Sequence, residues 1–267
     1  MLDLATGALA VLNTADAGEK ALAARRLASA WRDGGAPFVS PGETPKRPAR
    51  GPFPELRRPG DMPKRKAGGA LEKRIALLHA LAHIELNAID LAWDLIARFG
   101  SADLPRAFFD DWVRVGDEEA LHFTLLSERL RELGAAYGDL PAHDGLWQAA
   151  EETAHDLVAR LAIVPLVLEA RGLDVTPATL ADLRRAGDEP SAAVLEIIYR
   201  DEIGHVAIGK RWFDFFAAKA GQDPATLWQE LVRRHFRGRL KPPFNRAARD
   251  EAGFSAAFYE PLAADQS

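Results

Sequence analysis

Not one cysteine occurs among the 267 residues. Disulfides, iron–sulfur centres and a rubredoxin-like appendage are therefore excluded, and any electrons that a bound metal consumes must come from outside the chain. No uninterrupted apolar run is long enough to span a membrane, and no charged-then-apolar leader stands at Met1. The expected address is accordingly the cytoplasm. Positive charge is not in excess either: 34 Lys and Arg stand against 39 Asp and Glu, a formal net charge of -5. That balance argues against a general nucleic-acid binder. A hydrophobic share of 48% and a charged share of 27% describe an ordinary globular chain, long enough for one bundle with extensions.

What the chain does contain is a repeated set of metal-ligating side chains. Glu85 is followed by Glu119-Ala-Leu-His122, and Glu169 by Glu202-Ile-Gly-His205. The first pair of glutamates is 34 positions apart and the second pair 33. That interval leads from the middle of one helix, round a turn, to the middle of the next. Two helix hairpins that each carry Glu and Glu-x-x-His are what a di-metal carboxylate bundle requires. Each ligand must also face inward. Glu85 lies in the stripe Leu78, Ala82, Ile89, Trp93, which steps by three or four. Glu119 and His122 lie in the stripe Trp112, Val115, Leu126, Leu130, and Glu202 and His205 follow Leu195 and Ile198. Glu169 sits in a less regular stripe with Leu161 and Pro165. Four buried carboxylates in one core are intolerable without cations, and two divalent ions balance their charge. Glu and His three apart lie about 60° apart on a helix, so both can reach one ion. Carboxylate with imidazole suits two iron ions, or iron with manganese, and zinc less distinctively. The bland alternative for one Glu-x-x-His is a solvated pair. Two copies, each preceded by an in-stripe glutamate, favour the metal.

The pattern resembles the ferritin-like superfamily. More closely, the chain resembles a bacterial ferritin-like family of unknown function, through Ala82-His83-Ile84-Glu85-Leu86, Pro141-Ala142-His143-Asp144-Gly145-Leu146-Trp147, Leu168-Glu169-Ala170-Arg171-Gly172-Leu173-Asp174-Val175-Thr176-Pro177 and Arg200-Asp201-Glu202-Ile203-Gly204-His205-Val206. The resemblance implies an all-α, ferritin-like four-helix bundle over 69–222, preceded by an N-terminal helical extension and proline-rich strap over 1–68 and followed by a C-terminal helix and tail over 223–267. By the same resemblance Asp201 orients His122 and Glu118 orients His205, as carboxylates behind metal-bound imidazoles do. Where a radical-generating ribonucleotide reductase subunit would carry tyrosine, four positions after His122, this chain has Leu126, so no stable tyrosyl radical is expected.

Along the chain, one or two Ala-rich helices are expected over 2–33, broken near Asn13–Gly18. Residues 34–68 hold eight of the 17 prolines and eight Lys or Arg, so an extended strap or partial disorder is expected there. The bundle helices are expected at 69–99, up to Leu133 with Gly134 as cap, at 145–171 with Asp144 as N-cap, and from Glu189 to Ala220. Because Gly172 and Pro177 follow Glu169, the third helix is expected to break there, with Thr176-Pro177 restarting a short helix over 177–186. That break is the expected access route to the metals. Pro224 opens a further helix to His235. His79 and His83 share a face, His83 lying about 160° from Glu85, and are expected to pack on the N-terminal segment. His143 and His155 are expected to be structural.

Three functions fit these residues. The first is a di-metal oxidase or oxygenase with an external electron donor, a tRNA-hydroxylase-like activity being among the readings. The second is metal or peroxide handling without an organic substrate. The third is a scaffold that metal only stabilises. Arg233, Arg234, Arg237, Arg239, Lys241, Arg246 and Arg249 make a basic segment. Its favoured reading is a solvated face, and its sharper one a phosphate-bearing substrate or RNA at the site's mouth.

Overall fold

The computed structural model describes residues 3–34, 43–57, 61 and 70–265. The described chain is mostly helical and divides into two compact units, Met1–Gln148 and Ala149–Ser267. The boundary falls within the helix Gly145–Glu152, at the start of the expected second hairpin.

The first unit opens with α1 (Leu4–Leu12) and α2 (Ala17–Arg32). Each begins at an aspartate whose carboxylate satisfies an unpaired N–H of the first turn: Asp3 accepts from Thr6 N and Asp16 from Glu19 N, both at 2.9 Å. The break expected near Asn13–Gly18 lies between them. The hairpin itself is α3 (Ala70–Phe99) and α4 (Arg106–Glu132), closed by Gly134 at φ +79°. The predicted stripes are the buried faces: Leu78, Ile89 and Trp93 on α3, Trp112, Val115 and Leu126 on α4. Each such side chain contributes about 1.5–3 kcal/mol on burial. The helices approach closely where Trp93 lies over Gly116. A Cβ there would stand 2.7 Å from the indole Nε1.

Among the described residues, α3 is long and apolar enough to cross a membrane by length and composition, although charged residues interrupt it. Its apolar window is 67% buried inside the fold, as a core helix is, and Glu85, Asp90 and Asp94 are buried along it.

Of the proline-rich segment, residues 35–42, 58–60 and 62–68 lie outside the described residues. The described part, 43–57, runs extended over the first unit. Ala49 N donates to Leu12 O at 2.8 Å and Gly51 N to Ala15 O at 2.9 Å. Further along, β1 (Leu56–Arg57) pairs in parallel with β2 (Ala142–His143). Proline density leaves these backbone groups to partners outside the segment rather than to a helix of its own.

His79 and His83, expected to pack on the N-terminal segment, find their hydrogen-bond partners on the connection 137–143. His79 Nε2 accepts from Gly138 N at 2.9 Å, and both imidazoles stack on the Tyr137 ring. His83 joins Tyr137 Oη at 2.8 Å and His143 O at 3.1 Å. A tyrosine and two open backbone groups on the connection offer these rings better partners than the Ala-rich helices do. His143 Nδ1 in turn accepts from Gly145 N at 3.3 Å, a structural role as expected.

The third helix differs most from expectation. It begins on schedule: α5 (Gly145–Glu152) starts after Asp144, whose carbonyl accepts from Gln148 N at 3.2 Å and whose carboxylate pairs with Arg47. The chain then breaks at 153–156, where no break was expected. Thr153 Oγ1 bonds back to Ala149 O at 2.9 Å, and Asp156 Oδ1 accepts from Val158 N at 2.8 Å and Ala159 N at 3.1 Å. These side chains compete with the helix for its own backbone. The buried Arg160 closes the gap, donating to Thr153 Oγ1 at 2.9 Å and Ala150 O at 2.7 Å.

Helix α6 (Leu157–Ile163) then widens into a π-helical turn, Val164–Glu169, and runs on as α7 (Ala170–Arg185). The expected break at Gly172–Pro177 is absent, and there is no separate helix 177–186. Pro177 lies inside α7. Its cost is met because the carbonyl it cannot serve, Leu173 O, accepts from Asn245 Nδ2 at 3.1 Å. The return helix is α8 (Glu189–Lys219), capped by Asp188 after Gly187 at φ +74°. Gly209 on α8 seats against Pro165, leaving no room for a Cβ. The second unit ends with α9 (Pro224–His235), α10 (Arg246–Glu251) and α11 (Ala256–Asp265).

Candidate metal centre

The first unit brings three of the six expected ligands together. Glu85 comes from α3, and Glu119 and His122 from α4. One ligand atom from each lies within 4.8 Å of the others. His122 Nδ1 stands 3.3 Å from Glu85 Oε2 and 3.3 Å from Glu119 Oε2. The spacing of Glu-x-x-His is what aims both α4 side chains at the same point. All three residues are buried, His122 and Glu119 completely. Burial pushes the Glu85 carboxyl well above its ordinary range, and the neighbouring Glu119 pushes it further in the same direction. Two carboxylates and an imidazole nitrogen, converging where ionised acids are disfavoured, form a donor set that fits a divalent cation.

In the second unit, Glu202 and His205 repeat the α4 arrangement on α8. His205 Nδ1 lies 3.8 Å from Glu202 Oε1, and His205 is fully buried. Glu169 is the last residue of the π-helical turn and is half-buried. A π turn inserts one residue and rotates those beyond it, and such turns are common at functional sites. Pro165 was the available signal. It has no N–H for the carbonyl four residues back, which favours a widened turn.

Glu118 pairs with Arg114 at 2.9 Å, and Asp201 lies 3.5 Å from Arg200 Nε. Leu126 is buried in the α4 stripe. Tyr199, one turn before Glu202, accepts a hydrogen bond from Asn245 Nδ2 at 2.8 Å. Within the basic segment, Arg249 is buried against Asp174, Arg246 pairs with Glu260, and Arg237 lies 3.2 Å from Glu152. His155 lies against His235, ring centres 5.8 Å apart and planes tilted by 52°.

The chain belongs to the family described as "Protein of unknown function (DUF455)", whose model matches residues 13–260. An uncharacterized protein of Haemophilus influenzae is 45% identical over 211 residues, covering 76% of this chain and 73% of that protein. No solved structure matches the chain.

Proposed function

We propose that the chain is a ferritin-like di-metal carboxylate protein. Glu85, Glu119 and His122 from one hairpin and Glu169, Glu202 and His205 from the other hold two ions, iron with iron or iron with manganese. The observation that carries this reading is the buried convergence of Glu85, Glu119 and His122, with ligand atoms within 4.8 Å, on the pattern that α8 repeats. Its chemistry is oxidative. Once bound, two such ions would supply electrons for activating dioxygen, and with no cysteine in the chain an external donor would restore them. The glutamates neutralise the ions and His122 and His205 complete their coordination. Glu118 and Asp201 support the imidazoles. The apolar residues around the ligands keep water away from the site.

A second reading, in which metal only holds the helices together, draws on the complete burial of Glu119, His122 and His205. Two measurements decide. Elemental analysis of the parent is expected to find two metals per chain, and the Glu119→Ala/Glu202→Ala double variant is expected to hold none; two metals retained there would end the assignment. Anaerobic iron loading followed by oxygen, watched by optical absorption, separates the readings. A prompt change supports oxygen chemistry, and a silent spectrum supports the scaffold.

A further inference from the structure

Pro177 has no N–H to offer the carbonyl of Leu173, and a proline ring in a helix pushes that carbonyl outward. Asn245, in the segment between α9 and α10, supplies the missing donor: its Nδ2 lies 3.1 Å from Leu173 O. The same nitrogen donates to the Tyr199 hydroxyl at 2.8 Å. Asn245 Oδ1 accepts from Ala248 N at 3.3 Å, and its backbone N–H donates to Asp174 Oδ1 at 2.9 Å. Only one orientation of this amide works, since the flipped one would set Oδ1 against the Leu173 carbonyl.

Arg249 fastens the same segment. Its Nε and Nη2 reach the two carboxylate oxygens of Asp174 at 2.9 and 2.8 Å, and Nη2 also meets Ala170 O at 3.3 Å. The guanidinium lies over the Tyr259 ring, 4.4 Å from its centre. Nothing in this cluster is a surface ornament: Arg249 is buried, and the Asp174 carboxylate is fully so.

The positions of the two amide contacts matter. Leu173 is one turn after Glu169 on α7, and Tyr199 is one turn before Glu202 on α8. One side chain from the C-terminal segment therefore ties together the two helices that carry these glutamates, a single turn from each.

We propose that Asn245 is a positioning residue for Glu169 and Glu202, and that the C-terminal segment thereby sets the metal affinity of this half of the site. The proposal rests on the di-metal reading above. Asn245 acts through α7 and α8 and touches no metal. Groups that support metal ligands in this way are typically worth about 10–100-fold in affinity.

Cobalt(II) is the probe, because its visible absorption reports coordination geometry as well as binding. Asn245→Ala should weaken cobalt affinity about tenfold and alter the absorption bands, with the helical circular dichroism of the metal-free protein unchanged. Pro177→Ala restores an N–H to the helix, which can then serve Leu173 O itself. The Pro177→Ala/Asn245→Ala double variant should therefore recover part of the lost affinity, the contact with Tyr199 still being absent. Should Asn245→Ala alone fail to fold, the double variant is compared with Pro177→Ala, and a weaker affinity in the double variant, which lacks the Tyr199 contact, is the expected result. Affinity and bands identical to the parent in Asn245→Ala, even with lowered thermal stability, would mark a mere structural staple and overturn the proposal. So would a loss that Pro177→Ala does not relieve. Failure of the underlying reading looks different: the parent itself would bind no more cobalt than Glu202→Ala.

Discussion

The ammonium of Lys20 lies 2.5 Å from Oδ1 of Asp90, and solvent reaches neither side chain. Arg50 of the strap pairs with the other Asp90 oxygen. A single buried carboxylate on α3 thus holds both α2 and the strap. Lys20 also donates to Leu12 O at 3.3 Å and Ala49 O at 3.2 Å. Burial lowers the Lys20 pKa and raises that of Asp90, while the attraction between them opposes both shifts. Removing the shared carboxylate leaves two cations facing each other, one of them out of reach of water. Asp90→Ala is expected to cost about 3–5 kcal/mol. Lys20→Met should cost clearly less, because Asp90 keeps Arg50 and the methionine fills the space. Urea unfolding measures both. Equal losses would mean that Asp90 is not the hub.

Three glycines test the close helix approaches. Alanine at Gly116 would press on Trp93, and alanine at Gly209 on Pro165, at the root of the π-helical turn. Each substitution should destabilise by about 1–3 kcal/mol, as overpacking does. Gly172 is the contrast: a Cβ there meets nothing within 4 Å. Gly172→Ala should stabilise by about 0.5–1 kcal/mol through helix propensity alone. It should also leave any reaction of the metals with oxygen unchanged, since α7 is unbroken there. Thermal melts of the three variants decide, and a destabilised Gly172→Ala would contradict the open surroundings described.

Elements fixed by local interactions are legible in the sequence, and those fixed by distant partners are not. Helix starts at Asp16, Asp188 and Asp223 are local chemistry: a short acid side chain meets an N–H two or three residues on, so the boundaries were readable. The stripes of α3 and α4 were readable for the same reason, and with them the grouping of Glu85, Glu119 and His122. The continuation of α7 through Pro177 was not, because the donor that serves Leu173 O is 72 residues from it, at Asn245. Nor was the Lys20–Asp90 pair, 70 residues apart. The break at 153–156 lay between these cases. Its Thr153 and Asp156 bonds are local, but Arg160 and the apolar residues around it read equally well as an unbroken helix.

Metal affinity should depend on pH in a stated direction. Binding needs His122 and His205 neutral and the four glutamates ionised, so protons compete with the metal. Cobalt affinity should fall as pH drops through the imidazole range, about 6.5 for an unperturbed histidine. Titrations at about one unit above and one unit below that value measure it. A flat affinity would mean that the histidines are not ligands.

His83 sets a second pH dependence, in stability and independent of any metal. Burial, with the Arg50 guanidinium nearby, lowers its pKa from 6.5 to about 4. The His143 carbonyl can only accept, so Nε2 carries the hydrogen, and Nδ1 accepts from the Tyr137 hydroxyl. The neutral ring is therefore the form these partners fit. Because the folded value lies below the unfolded one, the unfolded chain takes up its proton first as the solution is acidified. This contribution to stability is fully present above about 6.5, and about 3 kcal/mol of it is lost as pH falls to about 4. His83→Gln keeps a polar side chain but removes the titration. Chemical unfolding at several pH values should show the parent losing stability more steeply than the variant across that window. Parallel profiles for the two proteins would show that the His83 ring does not change its protonation on unfolding.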